Sequence, residues 1–352
     1  MSRSDPTLHE VARAARVSIA TVSRVIHGGA GVSTALQERV HAAIQELGYR
    51  PSHSGRALVN RRHGALGIVF PGLYGPYYSE VIHGIESVAV RNSMAVMILG
   101  THLLHASTEH VLSLSDRTDG LAILGGSVPN DAIERLASRG RPLVLMAQHQ
   151  ILDLPTVRVD NSSSSHDLTT HLLADHGLER LEFLGNPAGS PDVEDRWQGF
   201  VDAHTALDIS PPDAPIPEAL EVSHGHRAGL EILSGHDRPD GIVCANDELA
   251  LGVLSAARSL SVDVPGDVAV TGWDDIALAT HAHPPLTTVH QPARELGAST
   301  ATMLVDRINA GRTACDGELV ELETTPIYRR SCGCESTVHA RAAPNQSAHR
   351  PL

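Results

Sequence analysis

The chain has 352 residues, of which 41% are hydrophobic, and this is enough for two or three domains with substantial cores. No apolar run reaches the roughly 18 residues of a membrane span, and the N-terminus lacks the apolar region of a secretory signal, so we expect a cytoplasmic protein. Four scattered cysteines argue against a disulfide framework.

The net charge of −14 argues against nucleic acid as a partner, but the charge is unevenly distributed. Residues 1–63 contain nine arginines and four acidic residues, a net charge of +5, so the rest of the chain carries −19. A small basic head on a large acidic body is typical of a protein whose head binds a polyanion.

Three short helices are predicted in the head. The first opens with Thr7 and Glu10, which have the spacing of a capping box. Ser18 is a good N-cap for the second helix, and Gly48 ends the third. Two short helices across a tight turn, braced by a third, form a helix-turn-helix domain, which we place at residues 1–50.

The second of these helices has two different faces. Val22 and Val25 share an apolar side with Ile26 at helical spacing. The opposite stripe is small and polar and consists of Ala20, Ser23, Arg24 and His27.

From residue 64 onward, continuous apolar runs alternate with helical stretches. "ALGIVF", "GLAILGG", "GIVCAND" and "VAVTGWDD" are examples among about eight, and such runs indicate parallel strands buried on both faces. The predicted class is therefore a small all-α head followed by a two-lobed α/β core with two parallel doubly wound sheets. We assign a linker at 51–63, an N-lobe at about 64–161 plus 289–322, a C-lobe at about 162–288 plus 323–332, and a disordered tail at 333–352.

Ligands of open α/β sheets bind beyond the carboxyl ends of the strands. Aromatic residues that fall at or just after such ends are Tyr74, Tyr77, Tyr78, Trp197 and Trp273. Polar residues at equivalent places are Asp160, Arg196, Asn246, Asp247, Asp274 and Gln291. Aromatic faces with a few polar groups suit a carbohydrate or a purine.

Motifs along nearly the whole chain resemble the lac repressor (LacI/GalR) family of bacterial transcription regulators. They include "HEVARAARVSIATVSRVIHG", "GRALVNRRHGALGIVFP", "DRWQGF", "CANDELALGVL", "GWDDIALA", "PPLTTVHQP" and "RRSCG", in family order over residues 7–333. The resemblance implies a homodimer on a near-palindromic operator, with a core like that of periplasmic sugar-binding proteins closing on a small effector.

The resemblance also implies which residues contact DNA. Ile19, Ala20 and Arg24 would face base edges, with Arg24 placed to contact guanine, while Ile19 could instead belong to the core. Further DNA contacts implied by the family are Ser18, Thr21, Ser23, His27 and Tyr49.

Residues 52–62 match the hinge helix of the family. Leu58 takes the position of a leucine that wedges between base pairs, and Arg56 lies beside it, although a plain basic linker would have a similar composition. Gly55 replaces the usual alanine and predicts a hinge that depends on DNA for its order.

In the family, the positions of Arg196 and Asp274 commonly bind ligand hydroxyls, although an ion pair between the lobes is an alternative for both. Asp247 in "AND" equally suits a helix N-cap. His224 stands where the family often has an aromatic residue, so either Trp197 or Tyr77 stacks on the ligand instead or the ligand is not a common hexose. The resemblance implies a sugar or sugar derivative as the effector, with a nucleobase as the less favoured choice.

Metal, cofactor and enzyme alternatives receive no support. The pairs His224/His226 and His281/His283 have neither helical i, i+4 spacing nor an evident third ligand, and histidine is abundant in the chain. No metal site is predicted at these pairs or at Cys332 and Cys334 of "CGC". No nucleotide loop or catalytic constellation is recognisable. We expect an effector-controlled regulator, most simply a repressor of carbohydrate use, and the alternative is a solute-binding protein without a DNA role.

Overall fold

The structure is a computed structural model that describes residues 6–26, 31–49, 62–101, 107–313 and 316–335. The chain forms two compact units, which divide after Gly64. His27, Arg56 and Leu58, with most of the linker and the tail, lie outside the described residues. No helix of the described residues is long and apolar enough to cross a membrane.

The first unit consists of three helices, α1 (Leu8–Ala14), α2 (Ile19–Ile26) and α3 (Thr34–Leu47). The capping box forms at α1, where the Thr7 amide donates to Glu10 Oε2 at 2.7 Å. Fully buried Val11, Val22 and Val40, one from each helix, form the centre of the core. The helix-turn-helix arrangement predicted from the sequence is thus present.

The second unit contains two parallel sheets. The N-lobe sheet has the order β10-β5-β4-β3-β1-β2, and the C-lobe sheet has the order β6-β7-β8. The N-lobe strands are β1 Ala65–Phe70, β2 Ala95–Gly100, β3 Gly120–Leu124, β4 Leu143–Met146, β5 Thr156–Val159 and β10 Leu319–Leu322. Those of the C-lobe are β6 Leu181–Leu184, β7 Gly241–Cys244 and β8 Ala269–Thr271, and β9 Thr288–His290 pairs antiparallel with β11 Thr325–Ile327.

Helices cover both sheets. In chain order they are α4 Pro76–Arg91, α5 Ser107–Ser115, α6 Asn130–Ala137, α7 Ser162–Thr170, α8 Pro191–Ala206, α9 Val222–Leu233, α10 Asp247–Leu260, α11 Ala277–His281 and α12 Ala293–Ala310. A π-helical turn, His171–Asp175, extends α7, and 3-10 turns occupy Pro187–Gly189 and Arg330–Cys332.

Four of the strands, β1, β3, β4 and β7, are apolar along their whole length because both of their faces are covered. All six residues of β1 are buried, and β3, β4 and β7 are likewise buried along their length. The α/β class predicted from continuous apolar runs is therefore confirmed.

Helices α4 and α12 pack closely in the N-lobe. A Cβ atom on Gly84 of α4 would lie 2.0 Å from the carbonyl oxygen of Arg294, and one on Gly297 of α12 would lie 2.1 Å from the carbonyl oxygen of Val81. Only glycine fits at these two positions of the crossing. The close contact holds α4, whose first turn carries Tyr77 and Tyr78, against α12.

Candidate functional site

Helix α2 exposes the stripe that the sequence predicts for DNA contact. Ala20 and Arg24 are exposed, whereas Val22 and Val25 are buried in the core of the head. Ile19 is 39% exposed, so it does not belong to that core. The exposed face of α2 therefore carries Ile19 and Ala20 at its N-terminal end and the guanidinium of Arg24 one turn later.

The other predicted DNA contacts have local roles as well. The Thr21 amide donates to Ser18 Oγ at 3.1 Å, so Ser18 caps α2. Thr21 and Ser23 are partly exposed. Tyr49 packs against the core of the head just after α3.

Polar groups in the second unit gather where the two lobes meet at the carboxyl ends of their strands. Arg196 from α8 is buried and lies at the centre of this polar cluster. Its Nε donates to Asn161 Oδ1 at 2.8 Å, and its Nη1 donates to the carbonyl oxygen of Ala245, after β7, also at 2.8 Å. Its guanidinium carbon lies 4.5 Å from the ring centroid of Trp273, a cation–π distance.

Two carboxylates flank Arg196. Asp192 lies one helical turn earlier on α8, with Oδ2 3.9 Å from Nη2 of Arg196. Burial raises the pKa of Asp192 to about 6, although the charge of Arg196 acts to lower it. Burial also raises the pKa of Asp274 to about 7, against the lowering effects of Arg196 and of a hydrogen bond from Gln291 Nε2.

The backbone at Asp274 is strained. Its φ angle of 112° lies outside the region that side chains other than glycine commonly adopt. The amide of Asp274 donates to the carbonyl oxygen of Val289 at 2.9 Å, so β9 holds this conformation. Strain of this kind is typical of functional sites, because the surrounding structure must maintain it.

Tyr77 and Tyr78, at the start of α4, reach this cluster from the N-lobe. Burial and the charges of Asp192 and Asp274 raise the pKa of Tyr77 well above its usual value, and burial raises that of Tyr78 to about 12. The two rings meet edge to face with centroids 5.3 Å apart.

Several buried polar atoms of the cluster have no hydrogen-bond partner in the protein. They are Tyr77 Oη, Gln148 Nε2, Trp273 Nε1 and Gln291 Oε1. Such atoms are rarely left unpaired. Of these residues, Gln148 also lines a cavity of about 300 Å³ at the N-terminus of α8, together with Ser190 and Glu194 among others. The region is equipped to hydrogen-bond a ligand.

Other predicted effector residues have local structural roles. Trp197 stacks on Phe200 with centroids 5.4 Å apart and so packs against the core of the C-lobe. His224, in the first turn of α9, has its Nδ1 2.9 Å from Oε2 of Glu218, which precedes the helix. Trp273 and Tyr77, not Trp197, are the aromatic groups that the structure brings to Arg196.

Three more predicted polar residues bond within the protein. Asp160 Oδ1 accepts from the Ser163 amide at 3.0 Å, and Asn246 Oδ1 accepts from the Leu249 amide at 2.9 Å, so both side chains cap the helices that follow. Asp247 is completely buried, and its carboxylate accepts from the Thr288 hydroxyl at 2.6 Å and from the Ile276 amide at 2.9 Å. The N-cap of α10 is therefore Asn246, and Asp247 instead joins the start of α10 to β9 and to the residue before α11.

The sequence analysis did not single out Asp192, Asn161 or Gln148. The signal for Asp192 was its position four residues before Arg196, which puts both on one face of α8. Asn161 and Gln148 each lie two residues after the end of a strand, the same rule that identified the other candidates.

The sequence led us to predict no metal site at Cys332 and Cys334. The fold nevertheless brings His171 and His176 to these cysteines, and the four ligand atoms lie within 4.8 Å of one another. Sequence spacing could not reveal this, because the histidines lie more than 150 residues earlier.

Comparison with known proteins agrees with both units. Residues 7–52 match the family model "Bacterial regulatory proteins, lacI family", and residues 170–332 match "Periplasmic binding protein-like domain". Over 325 residues the chain is 31% identical to the HTH-type transcriptional repressor CytR of Escherichia coli (strain K12), covering 90% of this chain and 94% of that protein.

Two solved structures are similar over nearly the full length. A complex of the transcriptional regulator CelR with cellobiose has 29% identity and a TM-score of 0.68, and covers 93% of this chain and 99% of that one. The lac repressor dimer bound to operator and the anti-inducer ONPF has 24% identity and a TM-score of 0.82, with 94% and 99% coverage. Because the identity to the lac repressor is only 24%, this second similarity shows a shared fold and nothing more.

Proposed function

The chain belongs to the lacI family of bacterial regulatory proteins, and from this premise we propose that it is a DNA-binding repressor whose operator affinity is set by a sugar or sugar derivative. The proposal includes a homodimer and no catalytic activity. The observation that carries it is the polar cluster around Arg196, joined in one chain to a head with an exposed recognition stripe.

The exposed stripe supports base reading by α2. The small side chain of Ala20 leaves room for the helix backbone to approach DNA, and apolar side chains such as those of Ala20 and Ile19 can contact a thymine methyl group. Arg24 can bond both O6 and N7 of guanine. A dimer would present two such helices to half-sites about one helical turn apart.

The chemistry around Arg196 supports a neutral polyhydroxylated ligand. Arg196 offers donors, Asp192 and Asp274 offer acceptors, and the Tyr77 hydroxyl offers both, which suits the alternating needs of sugar hydroxyls. Two carboxylates against one guanidinium disfavour a phosphorylated sugar, because a further negative charge would be buried beside them.

Control of DNA binding requires that the effector favour one of two arrangements of the lobes. Tyr77 lies in the N-lobe and Arg196 and Asp274 in the C-lobe, so a ligand that bonds to all three would hold the lobes together. Closure can either release or strengthen the head on DNA, and the sign decides between inducer and co-repressor.

Replacement of Arg24 tests the DNA-reading role. Operators are first selected from random duplexes with the wild-type chain, and binding is then measured by fluorescence anisotropy on the best site and on single-base variants. Arg24→Ala should lose about 1–3 kcal/mol of discrimination at one guanine per half-site. Arg13→Ala, an exposed arginine on α1, is the matched control and should keep the discrimination.

Two outcomes would contradict the proposal. Unchanged discrimination by Arg24→Ala would remove this residue from base readout. Failure of the wild-type chain to enrich any duplex would instead favour the alternative of a solute-binding protein without a DNA role.

A ligand screen tests the effector class. Thermal shifts are measured with panels of neutral sugars, sugar phosphates and nucleobases, and we expect stabilisation within the neutral sugars only. The same ligand should change operator affinity. A shift produced only by nucleobases or by phosphorylated sugars would overturn the proposed class while leaving the DNA-binding role intact.

A further inference from the structure

Four metal-ligand side chains converge in the C-lobe, where the end of α7 meets the last described residues of the chain. Nε2 of His171 and Nε2 of His176 are 3.0 Å apart. Cys334 Sγ lies 3.3 Å from the first nitrogen and 3.5 Å from the second, and Cys332 Sγ lies 3.9 Å from Nε2 of His171. We propose that His171, His176, Cys332 and Cys334 form a tetrahedral site for a structural zinc ion.

The spacing of the four atoms matches the edges of a zinc tetrahedron. Bonds of about 2.3 Å to sulfur and about 2.0–2.1 Å to nitrogen separate two nitrogens by about 3.3 Å and a nitrogen from a sulfur by about 3.5 Å. The four separations given above, 3.0, 3.3, 3.5 and 3.9 Å, lie within about 0.4 Å of these values. The other two pairs of ligand atoms lie within 4.8 Å.

The surroundings orient the ligands as they do around known metal sites. His171 Nδ1 lies 2.7 Å from Asp175 Oδ2, which keeps the ring proton on Nδ1 and turns the lone pair of Nε2 toward the other three ligand atoms. The hydroxyl of Thr287 lies 3.0 Å from Cys332 Sγ. A carboxylate–histidine pair and a hydrogen bond to a thiolate are the outer contacts that a zinc site needs.

The backbone builds the histidine half of the site through the π-helical turn. The amide of His176 donates to the carbonyl oxygen of His171 at 3.2 Å, an i to i+5 bond. In a regular α-helix, residues five apart point in different directions, whereas the wider π turn brings both rings to one side. π-helical turns are frequent at functional sites.

Gly333 builds the cysteine half. Its φ angle of 105° lets the chain reverse between the two cysteines, and a Cβ atom there would lie 3.2 Å from Cε1 of the His176 ring. Only glycine combines this backbone conformation with the close approach. The 3-10 turn Arg330–Cys332 then presents both sulfur atoms to the histidines.

The donor set selects the ion and its role. Two thiolates and two imidazoles in a tetrahedron suit zinc, whereas calcium and magnesium require oxygen ligands. Four protein ligands leave no open position, which is typical of a structural site. The ion would join the end of α7 to a segment 163 residues later in the chain and so fasten the C-terminal end of the described fold.

The site can be tested on the full chain, without a polyhistidine tag, by elemental analysis after exhaustive dialysis. Wild type should retain roughly one zinc ion per chain, and both Cys332→Ser/Cys334→Ser and His176→Gln should retain a tenth or less. Cys244→Ala, at a buried cysteine outside the cluster, and His281→Gln/His283→Gln are matched controls and should keep the ion.

A second measurement needs only the wild-type chain, so it holds even where a variant fails to fold. Replacement of the ion by Co²⁺ should produce the visible bands of tetrahedral cobalt with a thiolate charge-transfer band. Chelation should lower Tm, and added zinc should restore it.

Three results would overturn the proposal. The first is a wild-type chain that binds no zinc or loses it on dialysis. The second is an octahedral cobalt spectrum without thiolate bands. The third is a disulfide between Cys332 and Cys334 in protein purified from its normal compartment. None of these readouts depends on DNA or effector binding, so the regulatory function is tested separately.

Discussion

Replacement of Arg196 by methionine removes the guanidinium from the centre of the cleft and keeps a side chain of similar length. Arg196 donates hydrogen bonds to two buried acceptors, Asn161 Oδ1 and the carbonyl oxygen of Ala245, and methionine can donate to neither. It also provides the positive charge beside Asp192. The variant therefore loses hydrogen bonds and leaves a carboxylate uncompensated.

The magnitude follows from these contacts. Each buried acceptor left without its donor costs about 1–3 kcal/mol, and breaking a buried ion pair from one side costs about 3–5 kcal/mol in total. Because Arg196 lowers the pKa values of Asp192 and Asp274, its loss raises both pKa values further. The destabilisation should therefore be larger at pH 8, where wild-type carboxylates are ionised, than at pH 5.

Urea unfolding at pH 5 and pH 8 measures the effect as a change in the free energy of unfolding. Arg294→Met is the matched control, because Arg294 is exposed and its pair with Glu80 at 2.8 Å should contribute about 0–1 kcal/mol. A loss below about 1 kcal/mol for Arg196→Met at both pH values would refute the account of a buried, hydrogen-bonded charge at the cleft. Folded Arg196→Met should still bind operator but no longer respond to effector.

Two further changes probe the cleft and the N-lobe. The pKa of Asp274 is raised from 3.8 to about 7, so the native state binds the extra proton and the stability contribution of this group falls as pH rises from about 4 to about 7. Asp274→Asn should remove that slope and gain about 2–4 kcal/mol relative to wild type between pH 4 and pH 8 in urea unfolding, and an unchanged slope would contradict the raised pKa. Gly84→Ala places a Cβ atom 2.0 Å from the carbonyl oxygen of Arg294 and should cost about 1–3 kcal/mol or more, whereas Gly235→Ala, whose nearest atom is 3.5 Å away, should be tolerated. Equal stability of these two glycine variants would show that α4 and α12 can separate without penalty.

Local signals were sufficient for the helical head. The capping box of Thr7 and Glu10 lies within one turn, and the alternation of buried Val22 and Val25 with exposed Arg24 follows from helical periodicity alone. Such features depend on neighbours a few residues apart, so a sequence contains them in full. The same holds for the buried parallel strands, whose two covered faces require continuous apolar runs.

Position at a strand end was a weaker signal. It found Arg196 and Asp274, which do meet between the lobes, but it equally selected Asp160 and Asn246, whose side chains cap the helices that follow. A short polar side chain after a strand can either point into the cleft or bond to the next helix. The sequence is the same in both cases, and only the packing of the helix decides.

The amino-acid sequence by itself determined the basic helical head, the two-lobed α/β body and the polar edge where the lobes meet, because helical period, strand burial and charge are properties of short segments. Tertiary structure alone decided which side chains meet there. It packed Trp197 against the core of the C-lobe, placed Tyr77 beside Asp192 across the lobes, and brought Cys334 to within 3.3 Å of His171. Contacts between residues more than 100 positions apart depend on how whole layers pack, and no local pattern encodes them.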